Sequence, residues 1–377
     1  MANDLSTPLT GRKRRNQQKT GRFHFPLARL LFAVIALAVG AVVLRIALVD
    51  EPNGGRPSQE VAITTTRDGN TVANQVASGP ATITADPQQF PAGSSFTSVA
   101  PPGETATATG QVPDRYGALP DLSEETANGA IPRISGTGLS PFVAYRRPAD
   151  AAIAAGKPMV AVVVTGLGIN EQGSLDAIEQ LPDDVTLAFA PYGRSLENTV
   201  SAARTSGHEV MLEVPMEPFD YPQNDPGPHT VLTGETPRAN LDKLFWLMAR
   251  FGGYFGVVNN MGARFTASAA DMAPVMEEFG ARGLGYLDDG SSNRSVAAQL
   301  AGANKVPYGR AGQMIDANPA RASILEALAS LEAQALETGS AIGIVSALPI
   351  SVSTVSEWAR ELDAKGIALV PASALMK

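Results

Sequence analysis

Cysteine is absent from this chain, and histidine is nearly so: three in 377 residues, His24, His208 and His229. The first absence excludes disulfides, thiol catalysis and Cys-ligated zinc or iron–sulfur centres. The second leaves few imidazoles for a hydrolytic zinc site, which ordinarily uses two or three. Charged residues are also sparse, 18% of the chain against about 25% in ordinary globular proteins. Positive charge is in deficit, the formal net charge being −8, which argues against nucleic acid as a main partner. By contrast the chain is rich in Gly (36) and Pro (28), which points to a long unstructured part. At about 100–200 residues per domain, the length allows one or two folded units.

The charge is distributed unevenly. Arg12, Lys13, Arg14, Arg15, Lys19, Arg22 and Arg29 face only Asp4 within residues 1–30, so this stretch is +6 and the remainder −14. An apolar run from Leu30 to Val49 follows, interrupted only by Arg45. Its length suits a helix spanning about 30 Å, and Arg45, about one turn from its end, can snorkel to the interface. A cleaved signal peptide is the competing reading. However, the run exceeds the usual core of about 7–15 residues, and no clean Ala-x-Ala site follows. The expectation is therefore a single-pass inner-membrane anchor at 30–49. The positive-inside rule puts the basic tail, 1–29, in the cytoplasm and the rest of the chain in the periplasm.

Residues 50–140 are dominated by Thr, Ser, Ala, Gly and Pro, with Phe90, Phe96 and Tyr116 the only aromatics. Such a segment buries too little apolar surface to offset its ordering entropy, so a disordered linker is expected. Asp114–Glu125 (DRYGALPDLSEE) is a candidate for docking onto the following domain. From 141 to 377 the texture is that of a folded domain. Short β-branched strands at about 159–164, 185–190, 209–214, 255–258, 284–287, 341–345 and 367–370 alternate with helical patterns. Gly207, Gly283, Gly339 and Gly366 stand just past helix ends, where a left-handed cap belongs. Seven strands separated by helices imply parallel pairing with right-handed crossovers. The expected fold class is α/β, a distorted or incomplete (β/α) barrel of about seven parallel strands, with a doubly wound sheet as the alternative.

Either fold puts its site at the C-terminal ends of the strands. Those ends read Thr165-Gly-Leu-Gly168, Glu213-Val-Pro-Met-Glu-Pro218, Asn259-Asn-Met-Gly-Ala-Arg-Phe-Thr266, Asp288-Asp-Gly-Ser-Ser292 and Ser346-Ala-Leu-Pro349. Gly166-x-Gly168 is not a dinucleotide loop, because the position required for the third glycine is Glu171. His208 falls at the opposite, N-terminal end of its strand and reads as structural. Trp246, Trp358, Met261 and Phe265 read as packing residues.

The segments PMVAVVVTGLG, LAFAPYG, SGHEVMLEVPMEP, GVVNNMGARFT, YLDDGSS and LVPASAL, in this order, resemble the divergent polysaccharide deacetylase family over about the last 220 residues. That resemblance implies a distorted (β/α) barrel related to metal-dependent carbohydrate esterases. It also exposes departures. Thr165 and Gly166 stand where the family has an Asp pair, and Glu213 and Asn260 where it has His. Val345-Ser-Ala-Leu-Pro349 replaces a Gly-His-Pro-His-Pro type motif, while Leu287-Asp288 is retained.

Deacetylation of the family's kind needs a metal to polarise the carbonyl and activate water, with general acid–base assistance. Without imidazoles at these positions the usual hydrolysis is expected to be lost, and no cofactor is expected. The alternative is a hard divalent cation on Glu213, Asp288 and Asp289, which are also the candidate catalytic residues of a rebuilt site. Of the Asp pair, one member could instead cap the turn that follows. Asn259, Asn260, Arg264, Glu217 and Thr165 are candidates to hold sugar hydroxyls, with loop-fixing hydrogen bonds as the competing role. His229 is either a solvated loop residue or an imidazole that swings over the site. Three functions remain open: a cleft binding a cell-envelope glycan or a partner enzyme, an active carbohydrate deacetylase with a rebuilt carboxylate site, and a structural envelope scaffold.

Overall fold

The structure, a computed structural model, describes residues 112–377. The expected cytoplasmic tail 1–29, the anchor 30–49 and most of the linker lie outside the described residues. Among the described residues no helix is long and apolar enough to cross a membrane.

The expected folded boundary at 141 moves toward the N-terminus. Residues 120–122 form a 3-10 turn, and β1 (Ser123–Thr126) and β2 (Gly129–Pro132) form an antiparallel hairpin. Leu122 and Ile131 from this stretch are each only 1% exposed. Burial of these side chains is what a disordered linker could not offer. Two short helices follow, α1 (Pro141–Tyr145) and α2 (Asp150–Ala154).

The rest alternates strand and helix. The elements are β3 (Met159–Leu167), α3 (Glu171–Gln180), β4 (Thr186–Phe189), α4 (Leu196–Thr205), β5 (Val210–Met216), α5 (Pro237–Met248), β6 (Gly256–Met261), α6 (Ala269–Ala281), β7 (Gly285–Asp288) and α7 (Ala297–Asn304). They continue with β8 (Tyr308–Arg310), β9 (Gln313–Met314), α8 (Arg321–Thr338), β10 (Ser340–Ser346), α9 (Pro349–Ala359) and β11 (Ala368–Leu369). Nine strands make one all-parallel sheet in the order β8-β7-β6-β5-β4-β3-β10-β9, with β11 paired to the start of β3.

The seven expected strands are all present, and β8 and β9 are additions. They were not legible because Tyr-Gly-Arg and Gln-Met carry no strand pattern. These two short strands belong to one continuous segment. Its first half pairs with β7, the Ala311 amide bonds Asp288 O, the Gly312 amide bonds Ile342 O, and its second half pairs with β10. The two sides of the sheet thus meet on one segment, which curls it.

Period-two alternation sorts the strand residues into two layers. Val160, Val162, Val164, Leu187, Leu212 and Val214 face the helices, while Ala161, Val163, Ala188, Met211, Val258, Leu287, Ile342 and Ile344 fill the inner layer. Parallel strands buried on both faces read as nearly unbroken apolar runs, as MVAVVV does.

The N-terminal end of the sheet is plugged by Phe142, Tyr145, Leu122, Val370 and Met376. At this end Glu209 is fully buried and accepts hydrogen bonds from the Arg147 and Ser373 amides and from the Thr186 and Ser373 hydroxyls. Burial pushes its carboxyl above the ordinary range, opposed by these donors. Replacing Glu209 with Ala would orphan several buried donors at once. The expected loss is about 3 kcal/mol, with a smaller loss for Glu209→Gln, both read from urea unfolding midpoints. Equal midpoints for Glu209→Ala and the parent would refute the network's role.

Candidate active-site cleft

A cavity of about 520 Å³ opens at the C-terminal ends of the strands. Its lining continues the inner layer upward: Thr165 follows Val163, Glu213 follows Met211, Asn260 follows Val258, Asp289 follows Leu287, and Ser346 follows Ile344. Gly166, Asn259, Met261, Ala263, Pro218, Ser291 and Met314 complete it.

The β3 side depends on a bulge. Between the pairs Val164↔Leu187 and Leu167↔Phe189, β3 carries one residue more than β4. Gly166 takes up this kink at φ +82°, a conformation glycine adopts without strain. The Gly166 amide is thereby aimed across the sheet and donates to Glu213 Oε1 at 2.5 Å. Asn260 Nδ2 donates to Glu213 Oε2 at 3.3 Å. Glu213 is only 2% exposed. Its burial raises the carboxyl to about 7, opposed by the Gly166 and Asn260 donors.

Asp289 stands on the same inner parity. Burial raises it to about 6, against the hydrogen bonds from Ser291, and the neighbouring Asp288 charge pushes the same way as burial. Thr165 Oγ1 bonds Val345 O at 3.3 Å on the neighbouring strand β10.

Other expected site residues are placed differently. Asp288 has the parity of Tyr286 and is fully buried. Its carboxylate accepts from the Gly290 amide at 2.9 Å and from the Tyr308 hydroxyl at 3.4 Å, so it shapes the turn and does not line the cavity. Asn259 lines the cavity at one edge, but its amide is committed. Nδ2 donates to Met261 O at 2.6 Å, and Oδ1 accepts from the Tyr286 hydroxyl and the Asp289 amide, both at 3.0 Å. These bonds hold Met261 at φ +61°, a left-handed conformation a non-glycine residue enters only when its surroundings enforce it. Met261 is therefore a lining residue, 39% exposed, and not the packing residue its sequence suggested.

Glu217 and Arg264 bind each other at 3.0 Å. Glu217 also accepts from the Thr233 amide and hydroxyl, so the pair pins the β5 and β6 loops together outside the cavity lining. His229 is likewise off the site, stacked on Trp246 at 3.6 Å with the rings 2° from parallel. Burial, then Lys243 and Arg250, depresses its basicity. His208, 1% exposed, holds Val185 O at 2.8 Å and is structural as expected.

Sequence reasoning missed Met314, for want of the β8–β9 segment, and also Ile344, on the expected strand β10 but before its end, and Asp316. Asp316 is 6% exposed and fixes the Ser346 amide and the Ser351 hydroxyl. Extending the inner parity of each strand by two residues would have separated Glu213, Asn260 and Asp289 from Asp288.

A metal of the family's kind does not fit this donor set. Among the described residues no three His, Asp or Glu side chains gather into a group able to hold one. Asp288 is spent on its turn, and Gly166 contributes only an amide.

Glu213 binds its proton more tightly folded than unfolded, so its contribution to stability is present below about pH 4.5 and is lost as the pH rises through about 7. Glu213→Gln should therefore gain on the parent between those values, by about 3 kcal/mol. Urea midpoints at acid and alkaline pH test this, and a gap between the two proteins that does not change with pH would contradict it.

The divergent polysaccharide deacetylase model matches residues 162–376. The solved structure of an uncharacterised protein from Agrobacterium tumefaciens C58 is 43% identical with a TM-score of 0.63, covering 66% of this chain and 100% of that one. The uncharacterised protein YibQ of Escherichia coli (strain K12) is 24% identical over 225 residues, 59% of this chain and 68% of YibQ. Matched over more than half its length by one family model, the chain belongs to the divergent polysaccharide deacetylases.

Proposed function

We propose that this is a membrane-anchored periplasmic protein of cell-envelope carbohydrate metabolism, whose cleft binds a glycan and has lost the family's usual metal-dependent hydrolysis. One observation carries the reading: the cavity is lined by Thr165, Gly166, Glu213 and Asn260, where the resemblance implies the family's Asp pair and His residues. Its polar groups, Thr165, Asn260, Ser291 and Ser346, suit sugar hydroxyls. Its apolar wall, Met261, Met314, Ile344 and Pro218, suits the C–H faces of pyranose rings.

A rebuilt carboxylate metal site is disfavoured by the geometry, since Asp288 turns away from Glu213 and Asp289. A protein partner, such as an envelope enzyme, is a second reading with its own support. Ile169, Phe219, Met261, Met314, Leu348 and Ile350, half of the twelve exposed large apolar side chains among the described residues, follow or end the strands on the C-terminal side of the sheet, Ile350 in the first turn of α9. An exposed apolar surface of this kind marks an interaction site.

The cleft reading is tested by sedimenting the purified protein with insoluble peptidoglycan. Asn260→Ala removes a polar group from the cavity and should weaken binding about tenfold. Retention of parent affinity would sink the cleft as the binding site. Anchoring is tested separately by cell fractionation. Deleting residues 1–49 should move the protein out of the membrane pellet, and a truncated protein that stays there would overturn the anchor.

A further inference from the structure

The cavity has an unbalanced charge. Its ionisable lining residues are Glu213 and Asp289, and no Lys, Arg or His is among those that line it. Of the cations near it, Arg264 binds Glu217 at 3.0 Å, Arg310 binds the Ser292 carbonyl at 2.8 Å, and Arg294 lies over the Phe219 ring at the rim. Glu213, 2% exposed, and the partly buried Asp289 share the cavity without a counter-charge, which is unfavourable unless a proton or a bound cation supplies one. An anionic ligand would worsen this imbalance, and a neutral one would leave it.

The acceptor geometry points the same way. An ionised carboxylate offers about four lone-pair sites. Glu213 spends two on the Gly166 amide and Asn260 Nδ2, the second bond being long at 3.3 Å. Asp289 accepts from the Ser291 amide at 2.8 Å and is also hydrogen-bonded by the Ser291 and Asn259 side chains, which leaves it part of its capacity. Acceptor capacity therefore remains on both, and the Thr165 and Ser346 hydroxyls add more along the wall. A primary ammonium brings three donors and one positive charge. An acetamido group brings one N–H, no charge and a methyl that would displace water from both carboxylates without replacing its hydrogen bonds. Met314, Ile344 and Met261 leave the rest of the cavity apolar enough to seat the ring carrying the amine.

We propose that the cleft selects an amino sugar whose nitrogen is free, the ammonium being held between Glu213 and Asp289. This rests on the glycan reading above and narrows it to a ligand class. Hydrolysis of an N-acyl group is the class of reaction that yields such a ligand: water cleaves the amide C–N bond, the carboxylate leaves, and the amine takes up a proton. The protein then acts on the product side of that chemistry, as a reader of deacylated glycan.

The test is calorimetric titration of the full-length protein at neutral pH with two probes of equal length, a β-1,4-linked glucosamine tetramer and the corresponding N-acetylglucosamine tetramer. The free-amine tetramer should bind about tenfold more tightly. Glu213→Gln and Asp289→Asn, each checked for a cooperative melting transition, should each reduce that preference, and raised salt should weaken the amine tetramer more than its acetylated counterpart. Equal affinity, or preference for the acetylated tetramer, would overturn the ammonium proposal while leaving the glycan reading in place. Failure of both tetramers to bind would overturn both. Selectivity unaltered in both variants would show that the carboxylates are not its source.

Discussion

All strands of the curled sheet run the same way, and this one constraint organises the molecule. Parallel pairing sends every strand's C-terminal end to a single face, so residues some 180 positions apart in sequence meet there, as when Thr165 bonds the Val345 carbonyl. It also requires both sheet faces to be covered, by helices outside and by side chains within. The inner column on β5 shows the consequence. Glu209 ends it at the plugged face, Met211 fills its middle, and Glu213 emerges at the open end. Two buried glutamates on one strand thereby acquire different roles. Glu209 is surrounded by donors and ties the C-terminal segment into the fold, while Glu213 meets two donors and a cavity.

The bulge in β3 is the second determinant. A regular ladder would have left the Gly166 amide within the sheet. One additional residue rotates it toward Glu213, and only glycine takes the required φ without strain. Where the resemblance puts a carboxylate pair at Thr165 and Gly166, this chain has a hydroxyl and a backbone donor. On β3 the cleft therefore presents a backbone clamp on an acid of β5. Family membership accounts for the architecture, and the chemistry has to be argued from the side chains that are present.

Much of the architecture was legible because it is local. Apolar runs bounded by glycine, amphipathic stretches between them, and the caps past helix ends gave the seven main strands and their helices within a few residues. The segments 120–145 and 308–315 were not legible. The first is ordered by burial against the N-terminal end of the sheet and the second by pairing with β7 and β10, so no periodicity of their own reveals them. Among site residues, Glu213, Asn260, Asp289 and Thr165 could be reached by following each strand to its end. Glu217, Arg264 and His229 lie at equally suggestive places in the sequence, but satisfy one another or stack on a helix.

The sequence by itself determined the absence of thiols, the scarcity of imidazole, the acidic balance, the alternating strand–helix order and the family to which the domain belongs. These are properties of composition and short-range pattern, and they persist in any conformation of the chain. Tertiary structure alone decided which carboxylates share a cavity. Asp288 and Asp289 are adjacent and chemically alike, yet the pleat turns one into a turn-fixing hydrogen-bond network and the other into the cleft. That choice depends on strand parity, on the β3 bulge and on the meeting of β8 and β9 along one segment. Each of these is a relation between residues far apart in the chain, set by pairing and burial and not by local preference.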